Sequence, residues 1–169
     1  SDIQEVDIID LLGRDPVPPV PELLAKNIQN KMVLVTGAGG SIGSELCRQI
    51  VKNKPKALVI YELTEFALYS IDKELRLNSD VTIIPILGSV LDQAKLERVM
   101  EQYAIQTVYH AAAYKHVPLV ECNPLAGLKN NAIGTAFSLN AAVKTGVETF
   151  VLISTDKAVR PTNVMGASK

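Results

Sequence analysis

The sequence predicts a doubly wound α/β domain, an open parallel sheet covered by helices on both faces. Two observations carry that prediction. Short runs rich in valine and isoleucine alternate with segments whose apolar residues recur at helical spacing. The runs are also apolar throughout rather than at every second residue, which is the pattern of strands buried on both faces of a sheet. A glycine-rich turn directly after the first run adds a third sign, because such sheets bind ligands at the carboxyl ends of their strands.

Residues 1–30 read as an arm or linker lying on the main domain, which occupies 31–169. The run 6–12 is apolar enough to pack onto something. Segment 13–21 holds four prolines, Pro16, Pro18, Pro19 and Pro21, and must be extended, since each proline fixes φ and removes a donor. Residues 21–25 predict a short helix with proline in its first turn. From Lys31 onward the predicted strands are 32–36, 57–61, 81–87, 107–110 and 149–154. Between them lie apolar sets at helical spacing: Ile42, Leu46 and Ile50; Leu68, Ile71 and Leu75; Leu96, Val99, Met100 and Tyr103; and Leu125, Leu128, Ala132, Leu139 and Val143. Each set predicts the buried stripe of a helix, and β-α-β alternation with right-handed crossovers joins the strands in parallel.

Composition narrows the function. A chain of 169 residues, 47% hydrophobic and 21% charged, is sized for one globular domain. Seventeen Lys and Arg against eighteen Asp and Glu leave a charge of -1, so no basic field exists to hold a nucleic acid or an anionic membrane surface. The longest apolar runs, such as 57–61, fall far short of the ~20 residues that cross a bilayer. The amino terminus lacks the basic and long apolar regions of a signal peptide. Cys47 and Cys122 lie far apart without CxxC or Cys/His spacing, which predicts neither disulfide nor metal site and fits the reducing cytoplasm.

The turn reads Val33-Leu34-Val35-Thr36-Gly37-Ala38-Gly39-Gly40-Ser41-Ile42-Gly43. Gly37 would let the chain turn tightly off the strand, Gly40 would let backbone amides approach a pyrophosphate, and Gly43 would let the helix lie close to the sheet. A phosphate then rests on the helix amino terminus, where free N–H groups and the dipole favour negative charge. Gly37, Gly39, Gly40, Ser41, Ile42 and Gly43 are therefore the candidate cradle; the alternative is a purely structural turn. No Gly-Lys-Ser or Gly-Lys-Thr follows, so the expected ligand is a dinucleotide rather than a nucleoside triphosphate. Glu62, ending the second strand, can accept hydrogen bonds from an adenosine ribose and repel a 2′-phosphate, favouring NAD over NADP; its other reading is a cap for the next helix. NADP stays open if Lys52, Lys54 or Lys56 folds near it. Ser89 and Val90, after Gly88, are placed to border the adenine.

Four motifs occur in order: Thr36-Gly37-x-x-Gly40-x-x-Gly43, His110-Ala111-Ala112-Ala113-Tyr114-Lys115-His116-Val117-Pro118, Asn130-Asn131-Ala132-Ile133-Gly134-Thr135, and Ser154-Thr155-Asp156-Lys157-Ala158-Val159-x-Pro161-Thr162-Asn163. Together they resemble the extended short-chain dehydrogenase/reductase superfamily, with its Rossmann-like sheet. Within it the chain is most similar to the nucleotide-sugar 4,6-dehydratases of polysaccharide biosynthesis, of the large membrane-bound UDP-N-acetylglucosamine type. The resemblance covers about 31–169. The leader Asp10-Leu11-Leu12-Gly13-Arg14-x-Pro16-Val17 is similar to the linker that follows a membrane-embedded region in the large members, which implies a parent protein anchored upstream with this domain facing the cytoplasm.

The resemblance implies intramolecular redox chemistry on a UDP-linked N-acetylhexosamine. Hydride leaves C4 for NAD, water is lost across C5 and C6, and hydride returns to C6. It makes Asp156 the acid for the C6 hydroxyl and Lys157 the base at C5, each of which needs a shifted pKa. The wider superfamily uses Tyr-x-x-x-Lys; here Met165 holds the tyrosine position and Lys169 the lysine. A thioether cannot take a proton, so Met165 is at most a substrate-packing residue; some large dehydratases are similar in having methionine there. Thr155 is then the hydrogen-bond partner of the C4 hydroxyl, with Asp156 or a water taking its proton, and Lys169 binds the nicotinamide ribose. Ala111, Ala112, Ala113, Lys115 and Asn131 are expected on the cofactor side, Asn131 by bonding backbone near the site. His110 is expected to be packed and His116 bonded to backbone. Gly127 stands where relatives commonly have alanine, at about 1 kcal/mol in a helix, which predicts a weaker or bent helix. The resemblance further implies a chain truncated before its substrate subdomain: a cofactor-binding half with little turnover, whose exposed apolar surface favours a homo-oligomer. Two alternatives remain. A nucleotide-sugar C4 epimerase would need a proton acceptor at position 165, and an NAD-binding sensor module would not need the Asp156-Lys157 pair.

Overall fold

A computed structural model of the chain describes residues 21–169. The runs 6–12 and 13–20, on which the expected arm rests, lie outside the described residues. The elements in order are α1 (Pro21–Ile28), β1 (Met32–Thr36), α2 (Ser41–Lys52), β2 (Ala57–Glu62), α3 (Glu65–Asn78), β3 (Thr82–Leu87), α4 (Gln93–Gln102), β4 (Thr107–His110), α5 (Val117–Cys122), α6 (Pro124–Leu128), a π-helical segment (Lys129–Ile133), α7 (Gly134–Lys144), β5 (Thr149–Leu152), a 3-10 turn (Asp156–Ala158) and α8 (Val164–Ala167).

The five strands make one parallel sheet in the order β3-β2-β1-β4-β5. The chain starts at the centre, winds outward through β2 and β3, then returns to wind the other way through β4 and β5. The crevice between the ends of β1 and β4 is the topological switch point, where open α/β sheets bind ligands. Strand side chains alternate between two cores. On one face Val33, Val35, Leu58 and Ile60 pack with Cys47 and Ile50 of α2 and with Leu68, Ile71 and Leu75 of α3. On the other, Leu34, Val59, Tyr61 and Val108 pack with Leu96, Val99 and Met100 of α4 and with Ala141 and Ala142 of α7. Helix α1 docks at the opposite end of the sheet, where the Thr107 hydroxyl donates to the Asn27 carbonyl at 2.7 Å and Ile28 is buried.

Five sequence expectations need correction. Apolar-throughout burial holds for β2, β4 and most of β1, but the edge strands β3 and β5 are only partly covered; Pro85 sits in β3 because an edge strand tolerates a missing amide. Strand β5 stops at Leu152 rather than at 154, since β4 offers only four partners, although Ile153 N still donates to the His110 carbonyl at 3.0 Å. In α2 the buried row is Gly43, Cys47 and Ile50, and Ile42 is 53% exposed at the helix start. The row Leu125, Leu128, Ala132, Leu139 and Val143 faces outward, with Leu125 at 80% and Val143 at 73% exposure. Gly127, Gly134, Ser138, Ala141 and Ala142 face inward instead, because a close fit selects small residues: a Cβ on Gly134 would lie 2.7 Å from Val90 Cγ2. Finally, His116 is exposed and its side chain makes no capping hydrogen bond to α5.

Candidate functional site

The glycine loop is shaped by backbone meeting backbone. Gly37 has φ +68°, and a Cβ there would lie 2.6 Å from Ala112 Cα at the end of β4. A Cβ on Gly43 would overlap the Gly37 carbonyl oxygen, so helix α2 begins against the loop that precedes it. Gly39 approaches α3, where its Cβ would lie 2.5 Å from Ala67 Cβ. No side chain caps α2 at Gly40, which leaves its first amides and dipole open to an anion.

Glu62 braces this loop from the end of β2. Its Oε2 accepts from Gly39 N at 3.0 Å, while Oε1 accepts from Leu63 N at 2.9 Å and Thr64 N at 3.0 Å. The carboxylate thus serves the turn into α3 and the glycine loop together, and it also lines a cavity of about 250 Å³. That cavity is bounded by Gly37, Gly39, Gly40, Ser89, Val90 and Ala112, among others. Lys52, Lys54 and Lys56 border a separate concavity with Pro55 and Thr82, before β2 and β3 begin, whereas Glu62 ends β2.

A second cavity of about 350 Å³ continues over the switch point, sharing Gly40, Ala111, Ala113 and Tyr114 with the first. Its far walls carry Thr155, Lys157, Met165 and Lys169, and its near wall Ser41, Ile42, Gly43 and Lys115. Lys115 Nζ donates to Ser41 Oγ at 2.9 Å across the opening. Lys169 Nζ donates to the Ile153 carbonyl at 2.8 Å, and burial pulls its pKa below the ordinary lysine value. Met165 is buried at 3% exposure.

Thr155, Asp156 and Lys157 form the turn after β5. The Thr155 hydroxyl donates to Asp156 Oδ1 at 3.0 Å, and Lys157 Nζ lies 3.7 Å from the same oxygen. Asp156 is the one proposed chemical group that borders neither cavity: its side chain is 89% exposed. The Thr155 hydroxyl, then the Lys157 charge, hold its carboxyl below the usual carboxylate range, opposite to what a general acid needs at neutral pH.

The polysaccharide biosynthesis protein family matches residues 33–169. The chain belongs to that family. It is 44% identical over 171 residues to the capsular polysaccharide biosynthesis protein CapD of Staphylococcus aureus, covering 100% of this chain and 28% of that protein. It is 36% identical over 143 residues to a UDP-N-acetylglucosamine 4,6-dehydratase (inverting) of Campylobacter jejuni, covering 82% of this chain and 40% of the enzyme. The solved structure of Pen from Bacillus thuringiensis superposes with TM-score 0.78 at 30% identity, over 85% of this chain and 44% of that one. The chain therefore spans well under half the length of each of these relatives.

In this family member a buried polar chain joins three of the quoted motifs and ties the site together. Thr36 Oγ1 lies 2.7 Å from His110 Nδ1, and His110 Nε2 lies 3.1 Å from Thr135 Oγ1. The Thr135 hydroxyl donates to the Asn131 carbonyl at 2.6 Å, so it accepts from His110, which fixes the Nε2–H tautomer with Thr36 donating to Nδ1. Asn131 in turn accepts from Tyr114 N at 2.7 Å and donates to the Tyr114 carbonyl at 3.0 Å and to Ser168 Oγ at 2.8 Å. It lines neither cavity but clamps the loop and the helix end that do; its neighbour Asn130 borders the first. Sequence reading missed Thr36, Thr135, Ser168, Asn130 and Tyr114 as site-forming. The available signal was Thr135 four residues after Asn131, one helical turn away.

Proposed function

We propose that this chain is the NAD-binding half of a UDP-N-acetylhexosamine 4,6-dehydratase, a lyase of polysaccharide biosynthesis. One observation carries the reading: two joined cavities cross the switch point on the glycine loop, one ending at Glu62 and the other at Thr155, Lys157, Met165 and Lys169. The residues present fit a dinucleotide. Gly37, Gly39 and Gly43 each stand where a Cβ would strike other atoms, so the loop can lie flat under a pyrophosphate. Glu62 is available to a ribose diol, and the three lysines that would have favoured a 2′-phosphate border a different concavity. The family and the dehydratase relative support the substrate class.

Bound there, the nicotinamide supplies the acceptor for the C4 hydride and its return to C6. The chain's own residues do the rest. Thr155 holds the C4 hydroxyl while Asp156 takes its proton as hydride leaves C4; Lys157 takes the C5 proton, Asp156 passes its proton to the departing C6 hydroxyl to release water, and Lys157 returns a proton to C5 as hydride reaches C6. A sugar covering this turn strips water from Asp156, and once Thr155 turns its hydroxyl toward C4, Asp156 loses the bond that holds its pKa down; both changes raise it toward the acid form. Met165 offers no proton acceptor and packs against the substrate. Lys169, held by Ile153, keeps its charge toward the ribose. Among the described residues no helix is long and apolar enough to cross a membrane; an upstream anchor that keeps this domain on the cytoplasmic side, and assembly with further copies, are part of the proposal.

The test uses the full-length protein carrying this sequence, incubated with UDP-N-acetylglucosamine and NAD in D2O and followed by NMR. A 4-keto-6-deoxy sugar deuterated at C5 is expected, and Lys157→Ala should abolish the label. A C4 epimer without C5 label would make the protein an epimerase. Unchanged sugar beside tight NAD binding would make it a binding module.

A further inference from the structure

Helix α8, which carries Met165, is four residues long, too short to hold itself by helical bonds alone. Its first amides are satisfied by two side chains of different origin. Asn163, directly before the helix, accepts from Gly166 N at 2.7 Å. Glu121 accepts from Val164 N through Oε1 at 2.6 Å, although it belongs to α5. Its exposed carboxylate is only lightly desolvated, and a negative charge there suits the helix amino terminus.

Helix α8 lines the second cavity through Met165, whereas α5 only follows the loop that brings Lys115 to the opposite wall. Helix α5 starts two residues after Lys115, whose ammonium rests on Ser41. Helix α8 buries Met165 and presses Gly166 against the turn of Asp156 and Lys157 so closely that a Cβ would overlap the Lys157 carbonyl oxygen. Beyond it Ser168 receives the Asn131 amide and Lys169 reaches Ile153. A lift of α8 at its start would therefore move Met165 away from the wall and release Lys157 from its stop. The grips at Ser168 and Lys169 act at the far end.

We propose that Glu121 is a positioning residue for the dehydration chemistry: by capping α8 from α5 it fixes the spacing between Lys115 on one wall of the second cavity and Met165, Lys157 and Lys169 on the other. The proposal rests on the dehydratase reading given above and adds to it a residue that touches neither substrate nor cofactor. Displacements on the order of 1 Å at a distance from the reacting atoms lower rates by roughly a hundredfold, so one cap is enough to matter.

The test compares Glu121→Ala and Glu121→Gln in the full-length protein. Glu121→Ala is expected to speed amide hydrogen exchange across 164–169 by about tenfold. It should lower kcat by roughly ten- to a hundredfold, while NAD affinity, to which Lys169 adds one contact beside the loop at 37–43 and Glu62, falls by a smaller factor. Glu121→Gln keeps an acceptor oxygen and should restore most of both losses. The proposal is overturned if exchange at 164–169 is unchanged in Glu121→Ala, if the glutamine variant is as impaired as the alanine one, or if lost activity only follows lost folded protein in a thermal melt. A wild-type protein that does not dehydrate UDP-N-acetylglucosamine would sink the functional reading instead, and amide exchange would still decide whether Glu121 holds α8.

Discussion

Two alanine substitutions three residues apart in the glycine loop should separate folding from binding. At Gly43 a Cβ would overlap the Gly37 carbonyl oxygen and lie 2.8 Å from its carbon and 3.0 Å from Ala38 Cα. All three neighbours are backbone, so no side chain can swing aside. Overpacking of this kind costs about 1–3 kcal/mol, and the upper end applies; alanine in the helix of α2 returns about 1 kcal/mol. The net expectation for Gly43→Ala is a loss of about 2 kcal/mol. Gly40 differs: its φ of -72° and ψ of 167° suit any residue, it is exposed, and a Cβ would meet only the Gly37 oxygen at 3.3 Å. Gly40→Ala should change stability by less than about 0.5 kcal/mol, because slight crowding is offset by a less flexible unfolded chain. Yet Gly40 borders both cavities, so its methyl should weaken NAD by about tenfold or more, some 1.4 kcal/mol. Urea unfolding without ligand and calorimetric titration with NAD measure the two effects. Equal stability losses, or a Gly43→Ala protein as stable as wild type, would refute the steric reasoning; undiminished NAD binding by Gly40→Ala would refute the cradle.

Burial, followed by the charge of Lys169, pushes the His110 imidazole down to about 4 from its ordinary 6.5. Below pH 6.5 the unfolded chain then binds a proton that the folded protein refuses, so stability present above 6.5 falls as pH drops toward 4, by on the order of 3 kcal/mol in all. Urea midpoints of wild type and His110→Gln across that window should diverge, the variant being flatter; parallel profiles would count against a neutral buried histidine. Asn131→Ala leaves the Tyr114 amide and carbonyl without their partner and should cost about 2–4 kcal/mol, read from urea curves, with an unmoved midpoint showing that the clamp is not structural. Tyr61→Phe removes the hydroxyl that donates to the Ser89 carbonyl at 3.0 Å; a loss near 1 kcal/mol is expected, and the same melts would expose a change of either sign much beyond it.

The centre of the fold was legible because burial on both faces leaves little choice of residue. Val33 to Thr36, Ala57 to Tyr61 and Thr107 to His110 are buried, and 33–35 and 57–61 read as unbroken apolar runs. The second half of the chain misled for the opposite reason. Leu125, Leu128, Leu139 and Val143 have helical spacing and look like a core face, yet α7 approaches α4 and the sheet through Gly134, Ser138, Ala141 and Ala142. Hydrophobicity marks which residues gain by burial; it does not mark where two backbones come so close that only small side chains fit. The π-helical segment between α6 and α7 adds a shift of phase that a constant 3.6-residue period cannot carry across.

The site divides along the same line. Groups whose role depends on backbone shape were readable: Gly37 and Gly43 sit where the turn demands them, and Glu62 at a strand end, read as ribose partner or helix cap, binds the glycine loop and the turn before α3 rather than the helix amides. Groups whose role depends on desolvation were not. Adjacent Asp156 and Lys157 have the right chemistry, but only the fold shows the lysine on the cavity wall and the aspartate turned out with its carboxyl held ionised. For Asp156 to give up a proton, something must cover the turn and compete for Thr155, and a sugar hydroxyl held at Thr155 does both at once. The acid is therefore made by the substrate that needs it, which predicts that Thr155→Val, unable to donate to Asp156, leaves the Asp156 carboxyl nearer its ordinary value in the free protein while weakening the hold on the C4 hydroxyl. NMR titration of that carboxyl in wild type and variant reads the first effect, and an unchanged titration would break the link between Thr155 and the acid.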